Sequence, residues 1–245
     1  MVFKPMTPLF MENDPCINIH FTEGNEKCRL TMTMTTYDDS ILGFDSMLSV
    51  QEKKIFDKLK VVSRQREFLA GRYVAKKAII YNHPHLIHEL VSIIHGVWGF
   101  PIVQTVGLAD TGISIAHTNR HAIALFCPNN THPIGIDVEE INEENRMLVE
   151  KFLLKRELSL LINTSAVLAI VLWSAKEAAG KALRVGFNVP ESLLEVFSIK
   201  KIGRMYHIRF SQLPQLNAIA RIWNKTSVCI SYPSVWELKK TEIIN

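Results

Sequence analysis

The chain has 245 residues, 47% hydrophobic and 21% charged, which suits one large or two half-size globular domains and excludes a disordered chain. Net charge is +4 at pH 7, and the longest apolar run, Ala166–Trp173, is far short of the roughly 18 residues that a membrane span needs. The four cysteines are scattered with no CxxC pair, which argues for reduced thiols in a cytoplasmic protein and against a zinc site.

The N-terminus, MVFKPMTPLFMENDP, is broken by three prolines and soon meets acids, so it makes a poor signal peptide. Through residue 45 the pattern is of short strands and loops; LTMTMTTYDD alternates and is rich in Thr, and its Met32 and Met34 read as core. LSVQEKKIFDKL has helical spacing with Ser49 as N-cap, and SRQREFLAGRYVAKKAIIY is a second helix in which Phe68, Leu69, Tyr73 and Ile80 share a side. Residues 52–77 hold nine Lys/Arg against three Asp/Glu, which fits either a surface for a polyanion or a solvated amphipathic helix. HLIHELVSIIHG predicts a third helix capped at Gly96; His85 and His88 lie three apart on it without an acidic third ligand, which argues against a metal site. GISIAHTNRHAIALF then reads as two strands joined at TNR.

After the loop PNNTHP the pattern is strand (IGIDVEEI), helix (NRMLVEKFLLKRELSLL), helix (AVLAIVLWSAKEAAGKALR) and strands (LEVFSIKKI, MYHIRF, SVCISYP). This repeats the coarse order of the first half and predicts two similar α+β subdomains, residues 1–133 and 134–245, with the functional site between them.

IGIDVEE poses a charge problem. On a strand, Gly135, Asp137 and Glu139 point one way and Ile134, Ile136 and Val138 the other. Two carboxylates on one face repel unless a cation sits with them. In the later helix, Leu168, Leu172, Ala175, Ala179 and Ala182 fall in one arc, while Trp173, Glu177 and Lys181 form an i, i+4, i+8 stripe opposite. A plain amphipathic helix would explain the Glu–Lys pair but not a Trp on the polar side. Asp137, Glu139 and Glu177 together can supply oxygens to Mg²⁺, with Lys176 and Lys181 placed to meet phosphate oxygens. The set points to metal-assisted phosphoryl-group chemistry.

GIDVEE followed by WSAKEAAGKAL resembles the paired signature of the 4′-phosphopantetheinyl transferases. The length resembles the larger type, which activates peptide and polyketide synthetases and fuses two pseudo-symmetric halves. RQREFLAGRYVAKKAI and GISIAHTNRHAIAL resemble further segments of that family, so the likeness runs over about residues 49–190.

The resemblance implies an α+β fold of two pseudo-symmetric subdomains, each a small antiparallel sheet packed with helices. It implies transfer of the 4′-phosphopantetheine arm of coenzyme A to a serine of an apo carrier protein, with Mg²⁺ on Asp137, Glu139 and Glu177. Glu177 would be the general base and Lys181 would stabilise the leaving phosphate. Lys176 would help hold the pyrophosphate, Arg66 and His117 would contact the 3′-phosphate, and Arg120 would lie near the pyrophosphate, with Arg72 and Lys76 as further candidates. The family's Ser-His is Ala116-His117 here, and its Gly-Lys-Pro is Gly99-Phe100-Pro101, so two nucleotide contacts are lost. The expected assembly is a monomer with carrier domains and coenzyme A as partners, and neither nucleic acid nor membrane. Two rivals remain at this stage: a degenerate member that binds coenzyme A or a carrier without transfer, and a nucleic-acid- or polyanion-binding protein built on residues 52–77.

Overall fold

A computed structural model describes residues 14–129, 131–161, 166–186 and 188–244, so most of the proline-broken N-terminus lies outside it. The first half comprises β1 (Cys16–Glu23), β2 (Glu26–Thr36), α1 (Val50–Phe56), α2 (Val62–Asn82), β3 (Ile93–His95), β4 (Pro101–Val103), β5 (Gly112–His117) and β6 (His121–Cys127). The second comprises β7 (Gly135–Glu140), α3 (Glu143–Val149), α4 (Lys155–Ser159), α5 (Ala166–Ala182), β8 (Val196–Ile202), β9 (Met205–Phe210), β10 (Leu216–Trp223), β11 (Thr226–Pro233) and β12 (Glu237–Ile244).

The fold is mixed α+β. Two five-stranded antiparallel sheets run in the orders β12-β1-β2-β6-β5 and β7-β11-β10-β9-β8, and β3 pairs with β4. The layers are α2, first sheet, second sheet, α5. Strand alternation shows this directly. In β6, Ala122, Ala124 and Phe126 pack on the α2 side, while Ile123, Leu125 and Cys127 enter the core between the sheets. In the second sheet Ile136, Val138, Val228 and Ile230 face that same inter-sheet core, and Cys229, Ala218 and Ala220 face α5. Burial on both faces is why HAIALFC and SVCISYP read as nearly continuous apolar runs.

The halves share a buried ion pair as well as an element order. Glu52, at the start of α1, accepts from the backbone amides of Ser49 (2.9 Å) and Ile93 (3.1 Å) and pairs with Lys76 of α2 at 2.5 Å. Glu157, in α4, accepts from Leu154 (2.8 Å) and Val196 (2.9 Å) and pairs with Lys176 of α5 at 2.8 Å. Each carboxylate thus ties a short helix, a long helix and a strand together with its oxygens hydrogen-bonded, the condition under which a buried pair is tolerated.

Several expectations need correction. HLIHELVSIIHG is not a helix: it forms a single turn at His88–Leu90 and then β3. The β-branched run after Val91 favours extended backbone, and the amides of Ser92 and Ile93 go to Thr105 Oγ1 and Glu52 Oε1 instead of a helical ladder. Gly96 precedes a short turn rather than capping a helix. The single helix expected over NRMLVEKFLLKRELSLL is broken into α3, a turn at Glu150–Phe152, and α4, because the Glu157 side chain reaches back to cap the Leu154 amide. Apart from these corrections, β12, from the second half of the chain, pairs with β1 at the edge of the first sheet. No helix among the described residues is long and apolar enough to cross a membrane.

Candidate active site

The site is fixed by how closely β7 approaches α5. Gly135 has no side chain, and a Cβ there would lie 2.6 Å from the Ala182 amide nitrogen and nearer still to the Ala178 carbonyl oxygen. Only glycine lets the strand lie flat on the helix, and that contact sets Asp137 and Glu139 against the α5 side chains.

Asp137 is 3% exposed. It accepts from Ser174 Oγ at 2.8 Å and from Lys181 Nζ at 2.7 Å. Lys181 Nζ is also 3.7 Å from Glu177 Oε2, and Glu139 accepts from Trp173 Nε1 at 3.1 Å. The polar stripe Trp173–Glu177–Lys181 therefore faces the two carboxylates of β7, and Trp173 is half-buried, with Phe152 at 5.4 Å between ring centroids. In this arrangement the Lys181 ammonium answers the charge of Asp137 and Glu177.

One ammonium among three carboxylates leaves the cluster short of positive charge. Burial, then the charges of Asp137 and Glu177, push Glu139 up to about 8. Burial, then Asp137, push Glu177 up to about 7. Burial pulls the Lys181 ammonium down, but Asp137 and Glu177 outweigh it and its pKa is raised. Buried carboxylates crowded together with one ammonium among them are a donor set that a hard divalent ion suits. Among the described residues no three such ligands are already drawn into a metal cage; Lys181 would have to shift for Asp137 and Glu177 to share an ion.

A groove of about 330 Å³ is lined by Arg64, Phe68, Arg72 and His117 among others, and His117 lies near enough to Lys181 and Asp137 to feel their charges. The Arg72 guanidinium lies over the Phe68 ring at 4.4 Å and 3.3 Å from Glu52. Burial, partly offset by Glu52, brings it down to about 10. Its Nε faces Glu52, while its Nη2 is buried with no hydrogen-bond partner among the described residues, a donor that an anion in the groove would satisfy. His117, at the end of β5, is held below its usual range by burial against the counter-pull of Glu67.

The remaining site expectations fare differently. Lys176 does not join the carboxylate cluster: it is consumed in the fully buried pair with Glu157. Lys76 is likewise spent on Glu52. Arg66 bonds to Asp39 and is absent from the groove; two positions earlier on the helix, Arg64 lines it. Arg120 sits exposed in the β5–β6 turn, outside the groove. Sequence reasoning missed Arg64 and Ser174. Arg64, Phe68 and Arg72 form an i, i+4, i+8 stripe, the same signal that exposed Trp173, Glu177 and Lys181.

Residues 133–228, which hold β7, α5 and most of the second sheet, match the sequence model of the 4′-phosphopantetheinyl transferase superfamily. A curated relative, the holo-[acyl-carrier-protein] synthase of Campylobacter lari, is 36% identical over 70 residues; the match covers 29% of this chain and 59% of that protein. The chain thus spans under two thirds of the relative's length. Among solved structures, a Bacillus anthracis holo-(acyl-carrier-protein) synthase in complex with CoA (3′,5′-ADP) has 20% identity and a TM-score of 0.34, over 46% of this chain and 96% of that one. The Thermotoga maritima holo-[acyl-carrier-protein] synthase has 20% identity and a TM-score of 0.32, over 54% and 72%.

Proposed function

We propose that this protein transfers the 4′-phosphopantetheine arm of coenzyme A to the serine hydroxyl of an apo carrier protein, releasing 3′,5′-ADP. The observation that carries the reading is the under-neutralised carboxylate cluster of Asp137, Glu139 and Glu177, together with a groove that holds an unsatisfied cationic donor. The superfamily match over residues 133–228 falls on this cluster.

Asp137, Glu139 and Glu177 would hold Mg²⁺, which supplies positive charge to the pyrophosphate oxygens. Arg64, Arg72 and His117 would hold the 3′-phosphate end of coenzyme A in the groove. Glu177, kept ionised by the metal it would help to hold, would take the proton of the incoming serine. The serine oxygen attacks the phosphorus that bears the pantetheine arm, and the bond from that phosphorus to the 3′,5′-ADP oxygen breaks. Lys181, kept charged by Asp137 and Glu177, stabilises the departing phosphate. Positioning and charge stabilisation do most of the work.

The larger, two-half subtype is supported by the shared element order and by the twin Glu52–Lys76 and Glu157–Lys176 pairs within one chain. Carrier docking is supported beside Trp173, where Met147, Leu148 and Phe152 leave apolar side chains exposed. Incubation with coenzyme A, Mg²⁺ and a panel of apo carrier domains, followed by mass spectrometry, tests the reading: a carrier should gain one phosphopantetheine. Coenzyme A binding without any gain would instead favour the degenerate-member reading that Ala116 and Phe100 motivate.

A further inference from the structure

Between residues 196 and 236 the chain carries six Lys/Arg and no Asp or Glu. At the overall frequency of 24 acids in 245 residues a stretch of this length would carry about four. These residues build β8 to β11 and their turns.

Strand register puts Lys200 and Arg209 on one face, while Lys201 lies on the other and Arg204 and Lys225 lie in turns. Ser198, Arg209, Asn217 and Tyr232 form one cross-strand row; Lys200, His207, Ile219 and Ile230 form the next. At the β10–β11 end this face is covered, because Ile219, Ile230 and Tyr232 pack against the first sheet. At the β8–β9 end no layer covers it among the described residues, and Lys200 and Arg209 are exposed.

The uncovered part is concave. A groove of about 280 Å³ is lined by Ser198, Lys200, His207, Arg209 and Asn217 among others, and an adjoining one of about 430 Å³ shares Arg209 and Asn217 and adds Phe197. No carboxylate lines either groove. Lys200 and Arg209 form no ion pair with any described residue, whereas Lys239 and Lys240 on β12 each face a glutamate. A merely solvated face intersperses both signs; this one presents a single sign in a groove.

We propose that this face binds an acidic, extended polypeptide segment of a partner protein. Charge complementarity selects the sign. The cations alternate with Ser198 and Asn217, which suit backbone and carboxylate hydrogen bonds. The sheet ends at β8; the Val196 amide at its start goes to Glu157, and beyond it β8 is an edge strand to which an extended segment can pair. Nucleic acid fits less well, because the grooves offer one exposed ring, Phe197, instead of the series of stacking platforms single strands use. The face lies on the side of the second sheet away from α5 and on the strands farthest from β7, so its occupant is held apart from the carboxylate cluster, and the proposal stands whether or not the protein transfers phosphopantetheine.

The test is fluorescence anisotropy with a labelled Glu/Ser peptide on the whole chain. Wild type should bind it at low salt and release it as salt rises. The double variant Lys200→Glu/Arg209→Glu should bind at least about tenfold more weakly, with its thermal midpoint unchanged. Lys58→Glu, an exposed change in the other basic segment, should bind like wild type. The proposal is overturned by no binding in wild type, by equal binding in the double variant, by loss in Lys58→Glu alone, or by an oligothymidylate that binds this face in place of the peptide.

Discussion

Lys181 reaches Asp137 across 2.7 Å while Ser174, from the same helix, holds the other carboxylate oxygen at 2.8 Å. Asp137 is therefore the hinge of the cluster: its charge raises both Glu139 and Glu177 and holds Lys181 protonated. Asp137→Asn keeps the volume and an oxygen for Ser174 but removes the charge that faces Lys181 and that the proposed Mg²⁺ would need. Transfer to an apo carrier should fall by at least about a hundredfold. Thermal stability should hardly change, because relief of carboxylate repulsion offsets the lost ion pair. A variant that unfolds would instead make Asp137–Lys181 a structural salt bridge.

Folded-state pKa values of about 8 for Glu139 and about 7 for Glu177 lie above the ordinary 4.5. The native protein therefore binds more protons than the unfolded chain between about pH 4.5 and 8, and stability falls as pH rises through that window. Without divalent ions the melting temperature should drop by something on the order of 5 °C between pH 5.5 and 8. Added Mg²⁺ should restore it, and restore more at pH 8 than at pH 5.5, because only the ionised carboxylates bind. A midpoint indifferent to Mg²⁺ at pH 8 would count against the metal site.

Gly135 is needed for contact, not for flexibility. Gly135→Ala places a methyl group against the Ala178 carbonyl and the Ala182 amide, both backbone atoms that cannot rotate away. Chemical denaturation should show a loss of about 3 kcal/mol, and Asp137 should be displaced from Ser174.

The Lys176–Glu157 pair is structural. Lys176→Met leaves Glu157 charged and buried, and should destabilise by about 3–5 kcal/mol. The folded fraction should keep its Michaelis constant for coenzyme A, which separates this role from phosphate binding.

Arg64 and Arg66 should part company. Arg64→Ala should raise the Michaelis constant for coenzyme A by about tenfold, the effect of one charge-assisted contact. Arg66→Ala, which loses only the bond to the exposed Asp39, should stay close to wild type. The reverse order would restore the assignment read from the sequence.

The sequence by itself determined the elements whose signals are local. The Ser49 N-cap, the alternation of GIDVEE and the i, i+4, i+8 stripe of α5 each depend on neighbours a few residues apart, so local pattern reveals them. Glu177 and Lys181 were legible for that reason, as was their facing of Asp137 and Glu139 once a strand and a helix were assumed to meet. Tertiary structure decided what happens to identical side chains in different surroundings. Lys176 and Lys181 both lie on α5, yet a rotation of the helix face sends one to a sealed carboxylate and the other to the site. Arg64 and Arg66 differ only in which side of α2 meets β5. The HLIHELVSIIHG segment left its helical pattern because Glu52 and Thr105, distant in sequence, take its amides, and β12 crossed to the first sheet to pair with β1. Long-range hydrogen bonds and the orientation of one layer on another carry no short-range periodicity, so only the folded chain shows them.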